Sequence, residues 1–340
     1  MSNKQVRQLV ETLEHDIHSA TSSEQILAAV GKIKAFRKPL VYKHSKHFLA
    51  ALVSLSIAIF IFVGSHNQIS FLAAYSQGNG LFFLGIGCLL LCAFIVSLVL
   101  KNKHQISKVA KLAYQKDAML DNNLKFKAPF NSEEMRIRFS ELNRGNHSRT
   151  FKEVVAGEYQ GDEHQFTFEY YHFHYVDKRT VVTMRGKRMR TKTVYDKYDR
   201  YGIIIPFGFY QNLQIFSFKI GQQYQHSLSS GSIAFDKIFK VKASDELAGT
   251  KFLKPAVVVA ILDMSAFLSK MNIEIDGTGL MCLSFNDSNM IMGNQRYDLS
   301  NPDAFYDELA GHTKLRLLER TLRFVHQLLK HSDSNFKETV

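Results

Sequence analysis

The longest apolar stretch of the chain extends from Phe48 to Leu100, and its 53 residues include no Asp, Glu, Lys or Arg. Two segments make up most of it: FLAALVSLSIAIFIFVG at residues 48–64 and LFFLGIGCLLLCAFIVSLVL at residues 81–100. Twenty helical residues rise about 30 Å, which is the thickness of the hydrocarbon core of a bilayer. The pattern therefore predicts a transmembrane hairpin over residues 47–100, with spans at about 48–64 and 81–100.

Apolar residues at every third or fourth position predict helices on both sides of this stretch. Residues 1–46 are predicted to form a helical N-terminal region, and residues 101–130 a basic juxtamembrane helix that continues the second span. A last helix is predicted from about Pro302 to Lys330. Its apolar seam has a three-four-three-four spacing and consists of Leu315, Leu318, Leu322, Val325 and Leu329. Two interpretations of the seam stay open: a helix packed on a sheet, or a dimerisation helix that makes the chain a homo-oligomer.

From Phe151 the period of the apolar pattern changes to two, which is typical of β-strands. Runs such as QFTFEYYHFHYV and YGIII are rich in β-branched and aromatic residues and are bounded by turns rich in Gly, Asp and Lys. The predicted fold class is α+β: a two-span transmembrane helical hairpin followed by a cytoplasmic antiparallel β-rich domain with C-terminal helices. This domain is placed at residues 131–340, and a change of pattern near residue 230 leaves open its division into two subdomains.

The formal net charge of +12 is concentrated beside the two apolar segments. Residues 1–47 and 101–128 hold nine of the twelve excess positive charges, whereas the segment between the spans has no Lys or Arg. Because an excess of Lys and Arg marks the cytoplasmic side of a membrane, the N- and C-termini are both predicted in the cytoplasm. Basic clusters beside a bilayer also attract anionic lipid, so the charge needs no nucleic acid to explain it.

A further basic cluster surrounds Met184-Arg185-Gly186-Lys187, which is predicted to be a hairpin turn. Its members are Lys178, Arg179, Arg185, Lys187, Arg188, Arg190 and Lys192. The interpretations left open are a solvated hairpin and a contact with anionic lipid or an acidic partner protein. No nucleic-acid-binding motif accompanies the charge, so nucleic acid is not predicted as a partner.

His172 and His174 are the leading candidates for chemistry in this sequence. On a strand they share one face, which is how some β-barrel metal sites present two imidazoles. Asp177 falls on the opposite face by alternation, and zinc or iron would need a third and a fourth ligand. Two interpretations of this segment stay open: a structural strand rich in aromatic residues and histidine, or a metal-dependent site.

The remaining motifs point away from a catalytic site. The sequence has no Gly-x-Ser-x-Gly nucleophile elbow and no Gly-x-x-x-x-Gly-Lys-Ser/Thr phosphate loop. The DGTG sequence at residues 276–279 is interpreted as a hairpin turn, because an aspartic-protease site needs a second carboxylate. Cys88, Cys92 and Cys282 are predicted to be packing residues. We therefore predict no catalytic residue, no cofactor and no bound metal.

Three short segments in the second half of the chain resemble a known family. They are FDKIFKV at residues 235–241, DELA at residues 245–248 and FLKP at residues 252–255, followed by the strand from Leu280 to Phe285. With paired membrane spans before them, these segments resemble the bacterial membrane-protein family catalogued as domain of unknown function 3137. The resemblance covers about residues 40–295 and implies an integral protein of the bacterial inner (plasma) membrane. It implies no established activity, so no functional residue is carried over.

The predicted function is a membrane-anchored cytoplasmic binding or scaffold module that contacts a partner protein or anionic lipid. An enzyme at the membrane face, metal-dependent through His172 and His174, is the alternative. An ion channel ranks below both, because residues 65–80 contain neither a carbonyl-filter sequence nor an acidic ring.

Overall fold

The computed structural model describes residues 3–35, 39–66, 80–185 and 188–333 of the chain. Most of the loop between the two predicted spans, and residues 186–187 of the predicted turn, lie outside these described residues. The chain divides into two compact units, one of residues 1–117 and 294–312, the other of residues 118–293 and 313–340. The division therefore falls at different places from the domain boundaries proposed from the sequence, and the strands on both sides of residue 230 belong to one sheet.

Helices occur in both units. Those of the described residues are α1 (Asn3–Ser19), α2 (Ser23–Lys34), α3 (Ser45–His66), α4 (Gly80–Asp121), α5 (Ser132–Arg138), α6 (Ile233–Ile238), α7 (Glu246–Phe252), α8 (Pro255–Ser265), α9 (Pro302–Leu309) and α10 (Arg316–Asp333). A 3-10 turn, Ser140–Asn143, follows α5.

Two helix boundaries differ from the sequence-based expectation. The second apolar segment and the basic residues after it form one unbroken helix, α4, but this helix ends at Asp121 rather than near residue 130. Asn123 follows with a φ of 53°, a left-handed conformation that asparagine tolerates and that ends a helix. The single last helix predicted over residues 302–330 is wrong, because α9 ends at Leu309 and α10 begins at Arg316. Gly311 lies in the interruption, where its conformational freedom disfavours a continuous helix.

The N-terminal helices α1 and α2 form a pair in the first unit, as their apolar spacing predicts. The buried residues at helical spacing are Val6, Val10, Leu13 and Ile17 on α1, and Ile26, Ala29, Val30 and Ile33 on α2. The Lys32 ammonium lies 2.7 Å from a carboxylate oxygen of Asp16 across the pair. Helix α9 adds to this group, since the Lys34 ammonium lies 3.0 Å from Asp307 and 4.3 Å from the centre of the Tyr306 ring.

The apolar helices α3 and α4 pack against each other through small residues. The Ser54 hydroxyl donates a hydrogen bond of 2.7 Å to the backbone carbonyl of Cys88. A Cβ added at Gly85 would lie 3.1 Å from the ring of Phe62, so glycine permits the close approach of the two helices. Within the described residues, α4 from Phe83 onward is the one helix long and apolar enough to cross a membrane, and α3 has a shorter apolar stretch, His47–Val63.

The second unit is built on a nine-stranded sheet in which every neighbouring pair is antiparallel. Its strands are β1 (Lys125–Phe126), β2 (Ser148–Gln160), β3 (Gln165–Arg185), β4 (Arg188–Pro206), β5 (Leu213–Phe216), β6 (His226–Leu228), β7 (Lys240–Ala243), β8 (Asn272–Ile275) and β9 (Leu280–Phe285). Their order across the sheet is β1-β2-β3-β4-β9-β8-β5-β7-β6. The α+β class and the antiparallel sheet predicted from the sequence are confirmed.

Both faces of the sheet are covered by helical segments. Helices α8 and α10 share the larger core with strand residues such as Tyr170 and Ile203. The segment of α5 and the 3-10 turn forms a smaller core with Tyr171 and Ile204 on the other face, as alternation along a strand requires. All five residues of the predicted seam, Leu315, Leu318, Leu322, Val325 and Leu329, are buried in the larger core. The seam therefore packs on the sheet of its own chain.

Candidate functional site on the long hairpin

Strands β3 and β4 form a hairpin that extends beyond its neighbours in the sheet. Strand β3 pairs with β2 only as far as Val176, and β4 pairs with β9 only from Tyr201 onward. Residues 177–185 and 188–196 pair with each other and with no other described strand. Nine residues of antiparallel strand extend about 30 Å. We call these two segments the ribbon.

The two faces of the ribbon differ in chemistry. Residues directly opposite in an antiparallel pair share a face, and successive residues alternate between faces. The described register therefore places on one face Lys178, Thr180, Val182, Met184, Met189, Thr191, Thr193 and Tyr195. We call this the apolar face; Met184 and Met189 are 75% and 69% exposed there. The other, basic face carries the exposed side chains of Arg179, Arg190 and Lys192.

The ribbon has an excess of positive charge. Residues 177–185 and 188–196 contain six Lys and Arg residues against two Asp residues. One of these, Asp196, forms an ion pair with Arg179, and the hydrogen bond from Arg179 lowers the pKa of the Asp196 carboxyl. Of the seven cluster members predicted from the sequence, Lys187 lies outside the described residues, while Arg185 and Arg188 form the last described pair of the register.

The two candidate histidines lie at the base of the hairpin, on the same face as the apolar face of the ribbon. His172 Nε2 and His174 Nδ1 lie 2.7 and 2.9 Å from the same oxygen, Oδ1 of Asp199. The prediction that His172 and His174 share one face of the strand is confirmed, and Asp177 lies on the opposite face. The sequence pattern does not identify Asp199 as the partner of these two histidines. Counting outward from the turn predicted at residues 184–187 places Lys197 opposite His174, whereas the observed register places Asp199 there.

Asp199 is held as a carboxylate by this arrangement. Burial by itself would raise the pKa of the Asp199 carboxyl, but hydrogen bonds from His172 and His174 and the charge of Lys152, 3.5 Å away, lower it overall. An ionised carboxylate only accepts hydrogen bonds, so His172 Nε2 and His174 Nδ1 each carry a hydrogen. Within the described part of the chain, no group of three or more His, Cys, Asp or Glu residues is placed to hold a metal ion.

A second polar cluster lies inside the sheet and was also not foreseen. Arg200 and Glu141 are each 1% exposed, and Arg200 Nε lies 2.7 Å from Glu141 Oε1. Arg144 donates two further hydrogen bonds of 2.8 Å to the same carboxylate. Burial would raise the pKa of Glu141, but these two guanidinium groups outweigh it and lower the pKa overall. The pair joins the 3-10 turn to β4 and has a structural role.

Glu274 on β8 completes the attachment of the 3-10 turn. Its carboxylate accepts hydrogen bonds of 2.9 and 3.0 Å from the backbone N–H groups of Ser140 and Glu141, and one of 2.8 Å from Gln214. Burial nevertheless raises the pKa of Glu274 to about 7. The carboxyl group is fully buried and faces the interior.

Two other sequence-based interpretations concern β8 and β9. Asp276 Oδ1 accepts hydrogen bonds of 2.8 and 2.9 Å from the backbone N–H groups of Thr278 and Leu280, so residues 276–279 form the turn predicted for them. Cys282 is buried in the smaller core, and burial raises the pKa of its thiol to about 12. A thiol with so high a pKa is a poor nucleophile at neutral pH.

Comparisons of the chain with protein-family models, curated proteins and solved structures find no match. The resemblance to domain of unknown function 3137 therefore stays a prediction from residues 235–285.

Proposed function

We propose that the chain is an integral membrane protein that anchors a β-rich binding module at the cytoplasmic face of the bacterial inner membrane. In this proposal α3 and α4 are the two spans, both chain ends lie in the cytoplasm, and the ribbon of the β unit is the contact surface. The contact is with an acidic surface, provided by a partner protein or by anionic lipid.

The observation that carries the proposal is the exposure of large apolar side chains on both α3 and α4. The most exposed of them are Phe48, Leu49 and Phe60 on α3, and Phe83, Leu90, Phe94 and Leu100 on α4. Only 6% of the most apolar window of α4 is buried, whereas the core helix of a soluble protein is mostly buried. A bilayer would cover these side chains, and the Ser54–Cys88 hydrogen bond would then lie in a medium without competing water.

The distribution of charge supports the orientation. The Lys and Arg residues that flank the apolar parts of the two helices lie before residue 47 and after residue 100, and the segment between the helices has none. Both chain ends then lie on the side where positive charge is retained during insertion. The ribbon belongs to the unit that follows α4, so this orientation puts it in the cytoplasm.

Cysteine labelling in intact bacterial cells tests the orientation. With Cys88 and Cys92 replaced by alanine, the remaining Cys282 is buried and unreactive, so an added cysteine is the only labelled site. We expect a membrane-impermeant maleimide to label Gln77→Cys in intact cells, and to label Glu24→Cys and Glu158→Cys only after permeabilisation. Labelling of Glu24→Cys in intact cells, or recovery of the chain in the soluble fraction without detergent, would contradict the proposal.

A further inference from the structure

We infer that the ribbon binds the anionic lipid bilayer itself, with its apolar face inserted into the interface and its cationic side chains on lipid phosphates. This inference rests on the proposed function and names the partner of the ribbon. It commits to lipid, and a protein partner becomes an outcome of the test.

The apolar face gives the first argument. Val182, Met184 and Met189 are 54%, 75% and 69% exposed, in the part of the hairpin where neither β2 nor β9 lies beside them. Moving apolar side chains from water into an apolar medium lowers the free energy of the system. Interfacial segments bury such a face about 5–10 Å into the boundary between headgroups and acyl chains.

The basic face gives the second argument. Arg190 and Lys192 lie opposite Thr183 and Val181 in the register, on the face turned away from the methionines. Their side chains are long enough to reach along the ribbon to a phosphate while the apolar face is immersed. Each cation near an anionic leaflet adds to the attraction, and the ribbon carries an excess of four.

The shape of the ribbon favours lipid over a protein partner. A specific protein interface buries about 800 Å² on each side, with a packed core. The apolar face is two strands wide, and the residues between its base and Met184 are mostly threonines. A lipid surface demands no matching pocket, and the proposed membrane anchor keeps the ribbon at high effective concentration beside that surface.

A single tryptophan tests the inference, because the chain contains none. The full-length Met189→Trp variant is assembled into nanodiscs of phosphatidylcholine alone, or of phosphatidylcholine with phosphatidylglycerol. The matched control is Thr183→Trp, an exposed position on the basic face. In the anionic discs we expect the emission of the Met189→Trp variant to shift to shorter wavelength. Brominated acyl chains should quench it about twofold more strongly than they quench the control.

Removing charge gives the second arm of the experiment. Adding the Arg190→Gln and Lys192→Gln substitutions to the Met189→Trp variant is expected to restore a water-exposed emission spectrum in the anionic discs. Lys237→Gln with Lys251→Gln removes the same charge from exposed positions outside the ribbon and should leave the quenching unchanged. If Met189→Trp disturbs the fold, as seen by hydrogen exchange, Met184→Trp serves as the reporter, because Met184 pairs with Met189.

The outcomes separate the inference from the proposed function. A chain that does not enter nanodiscs contradicts the membrane anchor. If the chain enters nanodiscs while the tryptophan of Met189→Trp stays exposed to water in every lipid mixture, the lipid assignment is overturned and a protein is left as the partner of the ribbon. Equal quenching of the Met189→Trp and Thr183→Trp variants overturns the assignment of the inserted face.

Discussion

Arg200 shows how a charged residue that looks like part of an exposed strand becomes part of the interior. It lies one position after Asp199, so alternation places it on the face of the smaller core. Its guanidinium contacts Glu141, the backbone carbonyl of Lys270 and the side chain of Asn286. These groups come from three separate parts of the chain. The alternation of residues between the two faces of β4 can be read from the sequence, but the segments that cover Arg200 cannot.

Removing Arg200 should destabilise the β unit strongly. Arg200→Ala leaves Glu141 buried with one of its two cationic partners missing, and we expect a loss of about 3–5 kcal/mol in the free energy of unfolding. Arg179→Ala is the control, because it breaks an ion pair exposed to solvent, which contributes little to stability. The measurement is urea unfolding of the detergent-solubilised chain, monitored by hydrogen exchange of the amides in β4 and β9. A loss no larger for Arg200→Ala than for Arg179→Ala would show that the buried pair adds little.

Glu274 should make the β unit less stable as the pH rises. Its pKa is about 7 in the folded chain against an ordinary value of 4.5. Between these values the folded chain keeps a proton that the unfolded chain has released, so stability falls as the pH rises from 4.5 to about 7. The shift corresponds to about 3 kcal/mol over this interval.

The Glu274→Gln variant checks this pH dependence. Glutamine keeps the shape and one oxygen acceptor but cannot ionise, so the fall in stability between pH 4.5 and about pH 7 should largely disappear. The measurement is the protection of β8 and β9 amides, corrected for intrinsic exchange. Glu158→Gln, at an exposed position of β2, should keep the slope of the unchanged chain. An unchanged slope in Glu274→Gln would assign the titration to another group.

At the scale of elements, local patterns predict what depends on neighbours in sequence. The spacing of apolar residues predicts the α1–α2 pair and the buried seam of α10, and period-two alternation predicts β3 with His172 and His174 on one face. The register of β3 with β4 is less well fixed by local pattern, because the turn predicted at residues 184–187 places Lys197, not Asp199, opposite His174.

The arrangement of the strands depends on pairings far apart along the chain. Strand β4 pairs with β9, and Tyr201 lies opposite Phe285 in that pairing. Strand β5 pairs with both β7 and β8, which come later in the chain. Antiparallel strands that are not joined by a short turn carry no local signal for their partner. The sheet order and the buried contacts it creates, including Glu274 on the 3-10 turn, were for that reason not predictable from local pattern.

At the scale of the whole molecule, the chain leaves the first unit after residue 117 and returns to it for residues 294–312. The returning segment brings α9 beside α2, and α10 then completes the larger core of the second unit. A division based on the sequence pattern assumes that each domain is one continuous segment, so it could not assign residues 294–312 to the first unit. The interruption between α9 and α10 is the point where the chain passes from one unit to the other.

Shortening the chain at its C-terminus should affect the two units differently. A chain ending at residue 312 lacks α10 and its buried residues, so the β unit should lose hydrogen-exchange protection. The helices α1 and α2 keep α9 and should stay protected. A chain ending at Asp333 retains α10 and serves as the control, with both units protected. Loss of protection in α1 and α2 on removal of α10 would show that the two units unfold as one.

The hairpin also has a consequence for how the protein must be handled. The two edge strands of the sheet, β1 and β6, are only two and three residues long, so they offer almost no backbone for another chain to pair with. The flanks of the ribbon are different, because both carry long rows of backbone amide and carbonyl groups without a described strand beside them. Self-association of concentrated preparations should therefore begin at the ribbon. Repulsion between its arginines and lysines is what opposes it, so low ionic strength should keep the protein dispersed.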